Sequence, residues 1–304
     1  RMESRRTFLA GSLTAGAVAV AGCGDILGDS GTDDGSGDGD GSTDDQGEGS
    51  EGTGQPESGQ TPGRYADLVG GTDERPVTVI GQKVAQLAGV EDFSGITDGE
   101  PFLGVAPTDL EYSLDVTVAG ETYSLVFGPF DFDTVVSEYE SNDAEVTETE
   151  PYGDFRTIEA TIGASTVLVG VGDGVLVNAL GRDRYEQTID QFEEGETLIG
   201  SGTALDHISG VLGDPDIVVL ELEPEQLQID PTGDAVAGGA SLDVAADESA
   251  YTAVVGYETE AVASENESGV GDAAVEAEPA LDSVETAVDG RFVVVRGDAT
   301  TADL

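Results

Sequence analysis

The chain has 304 residues, with 63 Asp and Glu against 11 Lys and Arg and a formal net charge of -52. A single Cys excludes an intrachain disulfide or a thiolate metal cluster, and a single His excludes a site with several imidazole ligands. Phosphate neutralisation needs clustered Lys and Arg, so this balance also excludes a general nucleic-acid binder.

At the N-terminus, Ser4-Arg5-Arg6-Thr7-Phe8-Leu9 precedes an apolar run from Ala10 to Ala21. That run is shorter than the roughly 20 residues needed to span a bilayer. It closes on Val20-Ala21-Gly22-Cys23, small residues directly before the only cysteine. A charged start, a short apolar run and small residues at a cleavage point together read as an export signal. Residues 1–24 resemble the leader of a lipoprotein exported by the twin-arginine route, with Arg5 and Arg6 as the export signal and Cys23 as the lipobox cysteine. The resemblance implies transient contact with the twin-arginine export machinery, folding before export and cleavage before Cys23. It also implies a two-chain lipid on the Cys23 sulfur, so the expected location is the extracytoplasmic face of the cell membrane.

Residues 23–64 hold the anchor cysteine and then a Gly/Ser/Asp-rich acidic stretch, almost without apolar residues after Leu27. Such a segment cannot bury enough surface to offset its ordering entropy, and it is expected to be a disordered linker. A flexible chain of about 40 residues spans roughly 35 Å on average. Asp34 to Ser42 alternates Asp, Ser and Gly, but no register supplies the ligand spacing of a calcium loop. Residues 1–22 carry three Arg and one Glu, so the mature chain keeps 8 basic against 62 acidic residues, and its only Lys is Lys83. This composition resembles that of proteins from salt-loving archaea, in which concentrated salt screens such self-repulsion.

Residues 65–304 are expected to form one α+β globular domain, with a division into two halves, 65–213 and 214–304, as the alternative. Leu110 to Val126 alternates around Gly120 and reads as a β-hairpin. Phe132, Val135, Val136 and Tyr139 make one stripe of a short helix, capped by Asp131 or Asp133. Phe155 to Ile162 reads as a strand, and Thr166–Val171 with Val175–Leu180 as a second hairpin turning through Gly172-Asp173-Gly174. Tyr185, Ile189 and Phe192 mark another helix, and Leu205, Ile208 and Leu212 a third, ended by Gly213 and Pro215. Asp216–Leu222 and Tyr251–Tyr257 read as strands, 229–249 as a long loop with a short strand, and Ala273–Leu281 as helical. Val284–Arg296 reads as a hairpin turning at Asp289-Gly290. The order predicts a mainly antiparallel sheet of hairpins with a few short helices on one face.

Catalytic signatures are sparse. No phosphate loop surrounds Lys83, and no Gly-x-Ser-x-Gly elbow occurs. Gly170-Val171-Gly172-Asp173-Gly174 links two expected strands, whereas a dinucleotide loop must open a helix. His207 would have to serve any Ser/His/Asp triad, and it is expected at the surface or the core edge. With this many acids, close pairs such as Asp131/Asp133 and Glu221/Glu223 arise by chance. Glu221 and Glu223 are expected on a solvated strand face. Asn266-Glu267-Ser268 fits the N-glycosylation sequon in an expected polar loop.

The leader also resembles that of small blue-copper lipoproteins, but their site needs two His and a Cys, and this chain has His207 alone, with Cys23 expected to carry the lipid. No metal, cofactor or catalytic residue is expected. The reading is a lipid-anchored, non-enzymatic binding or envelope-accessory module, with an envelope protein or a small ligand as partner. The alternatives are a solute-binding lipoprotein and an extracellular carboxylate-based hydrolase.

Overall fold

In the computed structural model, which describes residues 65–66, 76–90, 102–194, 204–223 and 229–303, twelve strands pair into one antiparallel sheet. Its order is β11-β12-β10-β9-β8-β1-β2-β3-β7-β6-β5-β4. The first half begins with β1 (Val77–Gln82) and a single turn of helix, α1 (Val84–Leu87). The hairpin of β2 (Tyr112–Val118) and β3 (Glu121–Phe127) follows. It turns through Ala119 and Gly120, both at positive φ, the geometry that matches the twist of flanking strands.

Helix α2 (Phe132–Ser141) then leads to the edge strand β4 (Glu145–Glu148). Asp131 caps α2 from an extended backbone, its carboxylate accepting the Thr134 N–H at 2.9 Å. Strands β5 (Arg156–Ile162), β6 (Ser165–Gly172) and β7 (Val175–Leu180) meander back until β7 pairs with β3. Helices α3 (Arg182–Glu194) and α4 (Ala204–Leu212) lead to the second half.

The second half repeats this layout with fewer strands. Strands β8 (Ile217–Leu222), β9 (Ala237–Asp243) and β10 (Glu248–Gly256) run side by side. Helix α5 (Glu260–Ala277) crosses to the opposite edge strand β11 (Leu281–Asp289), and β12 (Phe292–Thr300) returns to pair with β10. Each half is thus a run of neighbouring strands, a crossing helix, and a return from the sheet edge. β1 joins the halves, paired along its whole length with β2 on one side and β8 on the other.

The α+β class and antiparallel sheet are as expected, but the helices occupy both faces. On the first face, Tyr185 and Ile189 of α3 and Leu205, Ile208 and Leu212 of α4 pack on Val79, Leu114, Leu125, Val177, Leu220 and Val294. Each such buried aliphatic side chain contributes about 1.5–3 kcal/mol. On the second face, α2 lays Phe132, Val135 and Tyr139 over Ile158, Val169 and Leu176. There α5 lays Ala263, Val270 and Ala274 over Ala253, Val255, Val293 and Val295. The physical reason is plain in β12, where Phe292 and Val294 serve one core and Val293 and Val295 the other. A sheet apolar on both sides requires cover on both.

Three segments differ from the sequence expectation. The region 229–249 contains a full central strand, β9, although its Ala-Gly-Gly-Ala start has low strand propensity. Its neighbours hold it, and glycine is what lets α4 approach. A methyl group at Gly239 would stand 2.8 Å from Leu220 Cδ2 and 3.0 Å from Leu212 Cδ1. The helix expected over Ala273–Leu281 runs from Glu260 to Ala277, capped by Thr259, and Leu281 begins β11. β1 and β4 had no sequence counterpart. Among the described residues no helix is long and apolar enough to cross a membrane.

Candidate functional site

Cross-strand register places a strip of polar side chains in the middle of the second face, between the ground covered by α2 and by α5. One row reads Glu221, Thr78, Thr117 and Thr122 across β8, β1, β2 and β3. The next reads Val219, Ile80, Asp115, Ser124 and Asn178 across β8, β1, β2, β3 and β7. Strands alternate their side chains between faces, so partners in register point the same way. Asp115, Ser124 and Asn178 are buried, while Thr78, Thr117, Thr122 and Glu221 are half-buried.

Hydrogen bonding satisfies part of this strip. Ser124 donates its hydroxyl to Asp115 Oδ1, and the Thr117 and Thr122 hydroxyls lie 2.8 Å apart. Burial pushes the Asp115 carboxyl above the usual carboxylate range, and the Ser124 hydrogen bond pulls it partly back. Glu221 differs. Its Oε2 is shut off from solvent and has no hydrogen-bond partner among the described residues, and burial raises its carboxyl too. This corrects the sequence expectation of a solvated Glu221, whose strand position turns it toward the second face beside Thr78. Glu223 lies just beyond the strand, exposed and at φ 51°. Two inter-strand spacings and two residues along the strand separate Asp115 from Glu221, about 12 Å between Cα atoms at standard spacings.

A second constellation surrounds Lys83 at the end of β1. Its Nζ donates to the Asp214 carbonyl oxygen at 2.6 Å and stands 3.1 Å from Asp214 Oδ2 and 3.9 Å from Asp216 Oδ1. Asp216 is buried, and its other carboxylate oxygen accepts the Val244 N–H at 2.8 Å. Burial first, then the Asp216 and Asp214 charges, raise the neighbouring Asp243 carboxyl against the pull of Lys83. Among the described residues no group of three or more His, Cys, Asp or Glu has the arrangement of a metal site.

The other sequence-derived positions are dispersed. His207 lies on α4 at the edge of the first core, its ring stacked on Phe292 with centroids 4.0 Å apart. Its Nε2 is shut off from solvent, has no hydrogen-bond partner among the described residues and lies 3.6 Å from Asp289 Oδ2. Asp131 caps α2, while Asp133 faces Arg156 at 3.6 Å, so that acidic pair is divided between two structural roles. Gly170 to Gly174 passes from β6 into β7 as a strand-to-strand turn, as read from sequence. Asn266 sits inside α5, where the sequence suggested a loop, and its Nδ2 donates to the Val262 carbonyl at 3.1 Å. Arg5, Arg6, Cys23 and the linker lie outside the described residues.

The polar strip escaped sequence reading because Thr78, Asp115, Ser124, Asn178 and Glu221 come from five separate strands. Only the alternation of β2 and β3 held a usable signal, since it puts Asp115 and Ser124 on the side opposite Leu114 and Leu125.

No family model matches this chain, and no curated protein does. Among solved structures, crystal form I of TP0453 aligns with a TM-score of 0.49 at 9% identity, covering 79% of this chain and 94% of that one. Crystal form IV of TP0453 aligns with a TM-score of 0.46 at 12% identity, covering 80% and 94%. Likeness at this level carries no argument about function.

Proposed function

We propose that the chain is a lipid-anchored protein of the extracytoplasmic face of the cell membrane, whose folded part is a non-enzymatic binding or envelope-accessory module. The observation that carries this reading is the pairing of Arg5-Arg6 with Cys23 across one short apolar run, followed by an acidic linker. The linker leads to Tyr65, a buried residue whose hydroxyl donates to the Ser209 carbonyl of α4. The membrane is then the first partner, held through a lipid on Cys23, and the tether holds the domain clear of it.

One feature favours binding over catalysis: among the described residues His207 Nε2 has no hydrogen-bond partner, whereas a triad base must engage a nucleophile. A second reading, a solute-binding lipoprotein for a small ligand, draws on the unpartnered Glu221 oxygen, which would accept a hydrogen bond from a bound amine or hydroxyl.

The address is tested with Cys23→Ser, which should move the protein from the membrane fraction to the soluble one. A variant that still pellets with membranes after a high-salt wash would overturn the anchor. Crosslinking on intact cells in their growth salt separates the two binding readings. A reproducible envelope protein supports the accessory role, whereas a melting temperature that rises with a small solute supports the second.

A further inference from the structure

The polar strip on the second face holds deeply buried groups that the described residues leave unsatisfied. Asn178 is 4% exposed, and Asp115 and Gln82 are each 9% exposed. Gln82 lies two residues beyond Ile80 on β1 and so shares its face. Neither the Asn178 amide nor the Gln82 amide makes a side-chain hydrogen bond with another described residue, and Glu221 Oε2 makes none either. Buried polar groups are nearly always hydrogen-bonded, so three orphans on one strip call for a partner from outside.

The side chains of the strip fix the charge of that partner. Across β8, β1, β2, β3 and β7 its polar groups are carboxyls, hydroxyls and amides, with no Lys, Arg or His among them. An anion would meet two carboxylates and no cation, and no described group of acids could hold a metal ion. An ammonium suits either end, because its N–H donors make charge-assisted hydrogen bonds to a carboxylate and burial limits screening by salt. At one end stands Glu221 Oε2. At the other, Ser124 engages Asp115 through Oδ1 alone, which leaves Oδ2 and the neighbouring Asn178 amide oxygen as acceptors. The line joining the two carboxyls crosses β1 between Thr78 and Ile80, half-buried side chains whose methyl groups suit a methylene chain.

We propose that the strip binds a linear organic diammonium ion, with one ammonium on Glu221, the other between Asp115 and Asn178, and the methylene chain over Thr78 and Ile80. The inference rests on the solute-binding reading and gives that solute a chemical class. A net charge of -52 draws cations toward the whole surface, and two carboxyls at a fixed spacing retain the one that reaches both.

The test uses the full chain in about 1 M salt, where the Debye length of about 3 Å removes general charge effects. Thermal melts are run with about 10 mM 1,6-diaminohexane, hexylamine, tetramethylammonium or glucose. The diamine should raise the wild-type melting temperature by about 4 °C, the shift for a ligand at about tenfold its dissociation constant. Hexylamine fills one end only and should give less than half of that shift, and tetramethylammonium, which has no N–H, almost none. Glu221→Gln and Asp115→Asn, each compared with its own melt, should reduce the diamine shift to the hexylamine level. The proposal is overturned if the diamine leaves the wild type unmoved, if hexylamine or tetramethylammonium matches it, or if Glu221→Gln keeps the full shift. Glucose separates this failure from that of the reading beneath it. A glucose shift that Glu221→Gln removes, with no diamine shift, overturns the diammonium ligand and leaves solute binding standing. No shift with any of the four overturns the proposal and takes the solute-binding reading's support with it.

Discussion

Replacing Gly239 by Ala tests how α4 is seated on the sheet. The added methyl would stand 2.8 Å from Leu220 Cδ2, 2.9 Å from the Val219 carbonyl oxygen and 3.0 Å from Leu212 Cδ1. The two leucine tips can yield by rotation, but the carbonyl belongs to the neighbouring strand β8 and is fixed by its ladder. Overpacking of this kind costs about 1–3 kcal/mol, and the stiffer unfolded chain returns about 0.5 kcal/mol. The net loss is about 1–2 kcal/mol, which lowers the melting temperature by about 4 °C in a domain of this size. Gly210 provides the control, because it lies in α4 itself and a methyl there would meet nothing within 4 Å. Gly210→Ala should therefore gain about 0.5–1 kcal/mol from helix propensity alone. Circular-dichroism melts of both variants in concentrated salt give opposite signs if α4 rests on Gly239. A Gly239→Ala protein that melts with or above the wild type would refute the close seating.

Asp115, Glu221, Asp243 and Glu278 all have carboxyls raised by burial. Between their unfolded and folded values the native state holds more protons, so these groups lose stability as pH rises through the folded value and keep it in full below the unfolded one. Asp131, lowered by its hydrogen bonds from Thr134, runs the opposite way but is exposed. In about 1 M salt, which screens the net charge, the melting temperature should be higher at about pH 5 than at pH 7. Glu221→Gln should raise the value at pH 7 by about 2 °C and flatten part of the slope, and a wild type that melts lower at the acidic end would contradict this. Asn266 should carry no glycan, because its Nδ2 is engaged within α5 and the proposed route exports a folded protein. Intact mass spectrometry reads this directly, and a glycan there would mean that α5 forms after modification.

Hairpins were the legible part of the fold because their turns and alternation are local signals. Ala119-Gly120 and Gly290 both fall at positive φ where the sequence placed turns, and Asp131 caps α2 as its position before an apolar stripe suggested. Helix α5 was misplaced because its buried face is built from Ala263, Val270, Gly271 and Ala274, small residues that leave a weak periodic signal. The same weakness put Asn266 in a loop. The 229–249 region was read as a long loop with only a short strand because of its glycines, whose meaning lies in Leu212 and Leu220, residues distant in sequence. The helices were assigned to one face because runs such as Phe292 to Val295 are apolar at every position, which hides the alternation between two cores. The Glu221 environment depends on β1 and β9 as neighbours, and no local pattern encodes that pairing.

The central position of β1 also has a mechanical consequence. Under the proposed anchoring, any drag on the domain outside the cell is transmitted along the tether and enters the fold upstream of this strand. β1 sits sixth from one edge of the sheet, and all six of its residues are in register with partners on both sides. A load along the strand must shear two ladders at once, whereas the same load at β4 or β11 would act on one. The chain thus takes up tension at an interior strand, and the edges, which have a single neighbour each, stay off the load path.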